Sequence, residues 1–151
     1  MFPPRYKSHT PSLPSGFVLR RNEIRSPEAL NRLLSRCNEE TYPSKRLALA
    51  LENSAFYLSI SHEESGRLVG FVRATSDKGL NANLWNLVAE SGDKQKLILS
   101  VLVDRSLGIL KREMPGCSVS VAAPSTAVQA LTDKGFLIDP GGIRAMGLRI
   151  S

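Results

Sequence analysis

Apolar positions along this chain change their period several times, and each change marks an element. Phe17-Val18-Leu19-Arg20-Arg21 reads as a short strand. Ser26-Pro27-Glu28 then places a capping hydroxyl, a first-turn proline and an acid ahead of Ala29, Leu30, Leu33 and Leu34. That is the start of a helix, which should end near Cys37 or Asn38. Residues 39–44, with Tyr42-Pro43, form a loop, and 45–52 a second helix through Leu47, Leu49, Ala50 and Leu51. Two β runs, 55–61 and 67–75, flank the turn Glu63-Glu64-Ser65-Gly66 and should pair as a hairpin.

The second half alternates. A strand over 84–89 leads into a long helix over 95–113, closed by Met114-Pro115-Gly116. A strand over 117–122 follows, then a helix over 125–133 capped by Ser125-Thr126 and terminated by Gly135, and a last strand over 146–150. The order β-α-α-β-β-β-α-β-α-β predicts an α/β fold, an α+β mixed sheet containing one parallel crossover. On the long helix, Leu97, Ile98, Leu99, Val101, Leu102, Val103, Leu107, Ile109 and Leu110 occupy well over half of the circumference. That is more than one sheet-facing stripe needs, so either neighbouring elements cover the rest or the helix meets a protein partner or a second copy.

Composition narrows the classes. A chain of 151 residues with 42% hydrophobic content buries one core, so one domain is expected over 17–151. Ahead of it, 1–16 is rich in Pro and Ser, basic, free of acid and without periodicity, and reads as a disordered tail. The formal charge of +6 changes the picture only until it is located: five of the twenty basic residues stand before Ser26, against one of the fourteen acids. Nucleic-acid binding asks for a clustered basic stripe with stacking aromatics, which the chain does not supply beyond the tail. No apolar run approaches the roughly 20 residues of a membrane span, and the expected setting is the cytoplasm. Cys37 and Cys117 lie far apart with no C-x-x-C partner, so neither a metal site nor a redox pair is expected. His9 falls in the tail and His62 beside Glu63-Glu64 at a turn, which leaves no nucleophile constellation.

Three stretches in order carry a resemblance: Leu49-Ala50-Leu51-Glu52-Asn53-Ser54; Gly66 to Asp77 through Val69-Gly70-Phe71-Val72-Arg73-Ala74-Thr75; and Gly135-Phe136, Asp139-Pro140, Gly142-Ile143-Arg144 and Met146. Together with the element order they resemble the GCN5-related N-acetyltransferase (GNAT) family, in its cyanobacterial and plastid branch. The resemblance implies that acetyl-CoA would lie between the strands over 84–89 and 117–122, its pyrophosphate on the helix after the first of them. Backbone at Leu87, Val88 and Ala89 and the turn residues Lys94, Gln95, Lys96, Leu97 and Leu99 would then hold it. Arg73, Asp77 and Arg144 lie in matching stretches without an assignable chemistry.

The chain departs from the family pattern where chemistry is expected. The small residues that would let a diphosphate approach the backbone are Leu97 and Leu99, which should crowd the mouth of the cradle. The family's tyrosine acid, five residues before Phe136, is Leu131. Of candidate bases, Asn86 cannot take a proton and Glu90 is the one carboxylate near the strand end. Lys94 and Lys96, in a first turn where the helix dipole disfavours cations, pull the other way, since a bound anion would relieve them. Three readings follow: a non-catalytic pseudo-acetyltransferase that binds through its cleft or surface; a divergent acyl-CoA-dependent N-acetyltransferase; and a nucleic-acid accessory protein working through the basic tail.

Overall fold

Local chemistry decides where the elements begin. In the computed structural model, which describes residues 10–151, the Ser26 hydroxyl oxygen accepts the Ala29 N–H at 3.1 Å and opens α1 (Pro27–Arg36), with Pro27 and Glu28 in the first turn. The loop to α2 (Ser44–Asn53) is tied back to α1 by Asn31, whose amide nitrogen donates to the Tyr42 carbonyl at 2.7 Å and whose amide oxygen accepts the Tyr42 N–H at 3.0 Å. The strands are β1 (Phe17–Arg21), β2 (Phe56–His62), β3 (Leu68–Ser76), β4 (Asn81–Ala89) and β5 (Ser118–Val121), in the sheet order 1-2-3-4-5. The first four are antiparallel, and β5 runs parallel to β4 after the crossover through α3 (Gln95–Glu113). A short 3₁₀ turn (Ser125–Ala127) leads into α4 (Val128–Asp133), which Gly135 terminates at φ +96°.

Helices cover both faces of the sheet. On one, Leu30, Leu33 and Leu34 of α1 and Leu47 and Leu51 of α2 bury Leu68, Phe71 and Val88. On the other, α3 and α4 bury the alternate positions, among them Leu58, Ile60, Val72, Leu84 and Leu87. Asp77 of the matching stretch is structural: its carboxylate accepts the N–H groups of Gly79, Leu80 and Asn81 at 2.8–3.0 Å and closes the β3–β4 turn. Those bonds hold its carboxyl below the usual range.

Several expectations are corrected. Of the tail expected over 1–16, residues 1–9 lie outside the described residues, while 10–16 is laid on the body. There Pro11 is buried, its carbonyl accepts the Arg105 guanidinium at 3.4 Å, and Leu13 packs on the larger core. The apolar surface of α3 is covered within the chain by the sheet, by α4 and by Leu13, and no residue over 97–110 is exposed. Of the helix's apolar residues, Leu97 and Leu107 stay half-buried and the others lie in the core. The strand expected over 146–150 does not form; Met146, Leu148 and Ile150 keep their alternation but stand 85–96% exposed. Ser125 and Thr126 supply no cap bond, since Pro124 is the residue at that N-terminus.

Packing of α3 on β3 is close at Gly70, where an added Cβ would sit 2.6 Å from the Ile98 Cγ2 methyl. Gly70→Ala therefore destabilises the protein by about 1–3 kcal/mol in urea unfolding. Adding Ile98→Ala removes the clashing methyl, so the double variant loses less than the sum of the two single losses. Ser106 Oγ is buried in α3 without a hydrogen-bond partner among the described residues. Ser106→Ala removes an unsatisfied hydroxyl and raises stability by up to about 1 kcal/mol, read as a higher Tm.

Candidate functional site

The sheet opens where β4 changes its geometry. Phe71 pairs with Val88 and Arg73 with Trp85, so Asn86 and Leu87 together oppose Val72 alone. Asn86 takes up the extra residue at φ +53°, a conformation that asparagine tolerates better than most residues. Parallel pairing with β5 ends at Leu84 with Val121, and residues 85–89 run on without a partner on that side. Beyond them lies a hollow of about 250 Å³ between the end of β4, the C-terminal end of α1, the start of α3 and the turn before α4; it is lined by Arg36, Cys37, Val88, Ala89, Gln95 and Thr126 among others.

The residues singled out in the sequence are distributed around this hollow unevenly. Leu87, Val88 and Ala89 bury their side chains in the two cores, and Val88 and Ala89 reach the hollow. Lys94 and Lys96 are exposed at the start of α3, whose first turn carries no acid and no side-chain cap bond. Gln95 Nε2 donates to the Ala89 carbonyl at 3.0 Å and so occupies a β4 acceptor at the cleft. Leu97 is half-buried against the larger core. Leu99 is not at the mouth as expected: it is fully buried in that core, because its helical position points at the sheet.

Glu90 is drawn into the structure. Its carboxylate pairs with Arg36 at 3.0 Å and with Arg67, while Arg36 also donates to the Leu68 carbonyl at 2.7 Å and the Glu90 N–H bonds the Val69 carbonyl at 2.8 Å. Burial pushes the Glu90 carboxyl up, but the two guanidinium groups outweigh it and hold the group below the usual range. A carboxylate so held is a poor proton acceptor for an amine. Leu131, at the acid's position, is buried in the larger core and offers no hydroxyl. Burial raises the Cys37 thiol, which makes it a reluctant nucleophile.

Sequence reasoning missed Arg36, Cys37 and Thr126 as lining residues. Each is local punctuation, two at the end of α1 and one in a turn, and nothing in the local pattern carries the long-range contact that brings them together.

No protein-family model matches the chain. Among curated proteins it is 34% identical over 106 residues to the uncharacterized N-acetyltransferase ycf52 of Porphyra purpurea, a match spanning 69% of this chain and 60% of that protein. To the chloroplastic GCN5-related N-acetyltransferase 1 of Arabidopsis thaliana it is 26% identical over 147 residues, 95% of this chain and 74% of the relative. The chain thus spans about 60% of the ycf52 relative's length. Among solved structures, a probable acetyltransferase from methicillin-resistant Staphylococcus aureus superposes with a TM-score of 0.79 at 16% identity, over 89% of this chain and 99% of that one, which shows the shared fold. The open strand pair, the element order and these relatives agree: the chain belongs to the GCN5-related N-acetyltransferase family, in its plastid and cyanobacterial branch.

Proposed function

We propose that this protein uses the acetyltransferase cleft to bind a ligand without carrying out efficient acetyl transfer. The observation that carries this reading is the double clamp on Glu90: the acid that directly follows β4 is spent on Arg36 and Arg67, which leaves Glu39 as the carboxylate lining the hollow. The burial of Leu131 supports it, and so does the Gln95 side chain on the Ala89 carbonyl, which an incoming ligand would have to displace. The residues present still fit a CoA-type molecule in part. Lys94 and Lys96 would hold its phosphates at the start of α3, where the helix dipole favours anions, and the hollow would take its thiol arm. When bound, acetyl-CoA supplies an acyl thioester that an amine can attack with loss of the CoA thiolate. Three relatives named chloroplastic support a plastid rather than a cytoplasmic setting.

A second reading is a divergent acyl-CoA-dependent N-acetyltransferase. The bulge at Asn86 and the separation of β4 from β5 favour it, since they keep the frame in which an amine could meet a thioester.

Calorimetric titration with CoA and acetyl-CoA separates the two. The unmodified chain binds no tighter than about 1 mM, and Leu97→Gly, which unlike a change at Leu99 opens no cavity in the core, tightens binding about tenfold. Micromolar binding together with turnover of an amine panel overturns the non-catalytic reading in favour of the second.

Glu90→Gln distinguishes a clamp from a base. As a clamp, the ionised carboxylate stabilises the fold by about 1 kcal/mol, a modest figure because Arg67 is half exposed. Its folded pKa lies below the unfolded value of about 4.3, so this contribution is complete above that value and is lost as pH falls through the folded pKa. The variant therefore loses stability at neutral pH, converges on the parent in acid, and leaves the CoA titration unchanged.

A further inference from the structure

On the sheet face that α1 and α2 cover only in part, cross-strand pairing lines up a polar floor. Arg73 stands opposite Trp85, Thr75 opposite Asn83, and Asn83 opposite Ser120. Phe71, two residues before Arg73 on the same face, is the last β3 residue in the smaller core, and Trp85 and Ser120 beyond it are exposed. Arg73 is the one charged residue in β3, β4 and β5.

Its setting is unusual for a cation. The side chain is half-buried, and burial lowers its pKa. Nε donates to Asn86 Oδ1 at 2.7 Å, and the guanidinium carbon lies 6.0 Å from the centroid of the Trp85 ring. The two Nη groups make no hydrogen bond among the described residues; the titratable group that acts on the guanidinium is the Tyr42 phenol, and no carboxylate there lies within ion-pair reach. Elsewhere the chain pairs its half-buried guanidinium groups: Arg36 has Glu90 and Arg105 has Asp104. Desolvating a guanidinium without an anion is costly, and a guanidinium whose Nη fork is open matches the two oxygens of a planar carboxylate. A phosphate dianion would call for several cations or a run of backbone N–H groups, and this floor offers a single positive charge.

The floor also lies at the working end of the cleft. Arg73 is bonded to the bulge residue Asn86 and paired with Trp85, the first β4 residue past the last contact with β5. We propose that Arg73 is the recognition group for a carboxylate on the cleft's ligand, a small amine of the amino-acid class that lies on this floor with its amine toward the opening between β4 and β5. This rests on the cleft being the working site, and it holds whether or not acetyl transfer occurs there.

Trp85 is the chain's single tryptophan and stands beside Arg73, so its emission reports on the site without any turnover. Leucine and alanine are titrated beside leucinamide and alaninamide, which lack the carboxylate. The acids change the emission saturably, and the amides need at least about tenfold higher concentration for the same change. Arg73→Gln abolishes the difference between acid and amide. Arg73→Lys, which keeps the charge but not the fork, retains a weaker one and serves if the glutamine variant does not fold by circular dichroism. Equal responses to acid and amide, no saturable response to either acid, or a preference unchanged in Arg73→Gln overturns the assignment. Equal responses to acid and amide without turnover remove this assignment and leave the non-catalytic reading standing; turnover of the amines with the carboxylate preference kept removes the non-catalytic reading and leaves the assignment standing.

Discussion

The cleft side of this molecule depends on one extra residue in β4. Because Asn86 and Leu87 together face Val72, the strand bends there while its pairing with β3 resumes at Val88. β5 cannot follow the bend and parts from β4 at Leu84, and the gap that results is where α3, the end of α1 and the turn before α4 meet. The same residue sets the electrostatics on the other face. The Asn86 amide takes the Arg73 Nε and so holds a guanidinium beside the gap that it shapes.

Around that gap the polar groups divide into those already satisfied and those left open. Glu90, Arg36 and Gln95 are engaged with their neighbours and act as fasteners between α1, β3, β4 and α3. Lys94, Lys96 and the Nη groups of Arg73 have no such engagement among the described residues. A family fold can keep its frame and change its chemistry by moving residues from the second group to the first. Here the carboxylate after β4 belongs to the first group, while cationic groups on both sides of the sheet belong to the second.

How far the sequence foretold this depended on the range of the forces involved. Most short-range signals held, the cap expected of Ser125-Thr126 excepted: Ser26-Pro27-Glu28 began α1, Gly135 ended α4, and α3 spans the residues expected of it. The parallel crossover followed from the order of elements, and the family resemblance from three matching stretches read together with that order. What could not be read locally were facts of three-dimensional placement. Leu99 matched a cradle position in sequence but points into the core, Glu90 stood as a candidate base until Arg36 and Arg67 were brought to it from distant elements, and Arg73 sat in a matching stretch without a role. The strand pattern at Met146, Leu148 and Ile150 was real as a pattern, but alternation requires a neighbour to become a strand, and none pairs with it.

That unpaired segment has a chemical side. Met146 is 96% exposed, whereas Met114 packs against the core. Among the described residues a mild oxidant will therefore reach the Met146 thioether before that of Met114 and convert a greasy, flexible side chain into a polar sulfoxide outside the two cores. Oxidation at that position adds the mass of one oxygen and leaves the packing of the sheet and its helices untouched.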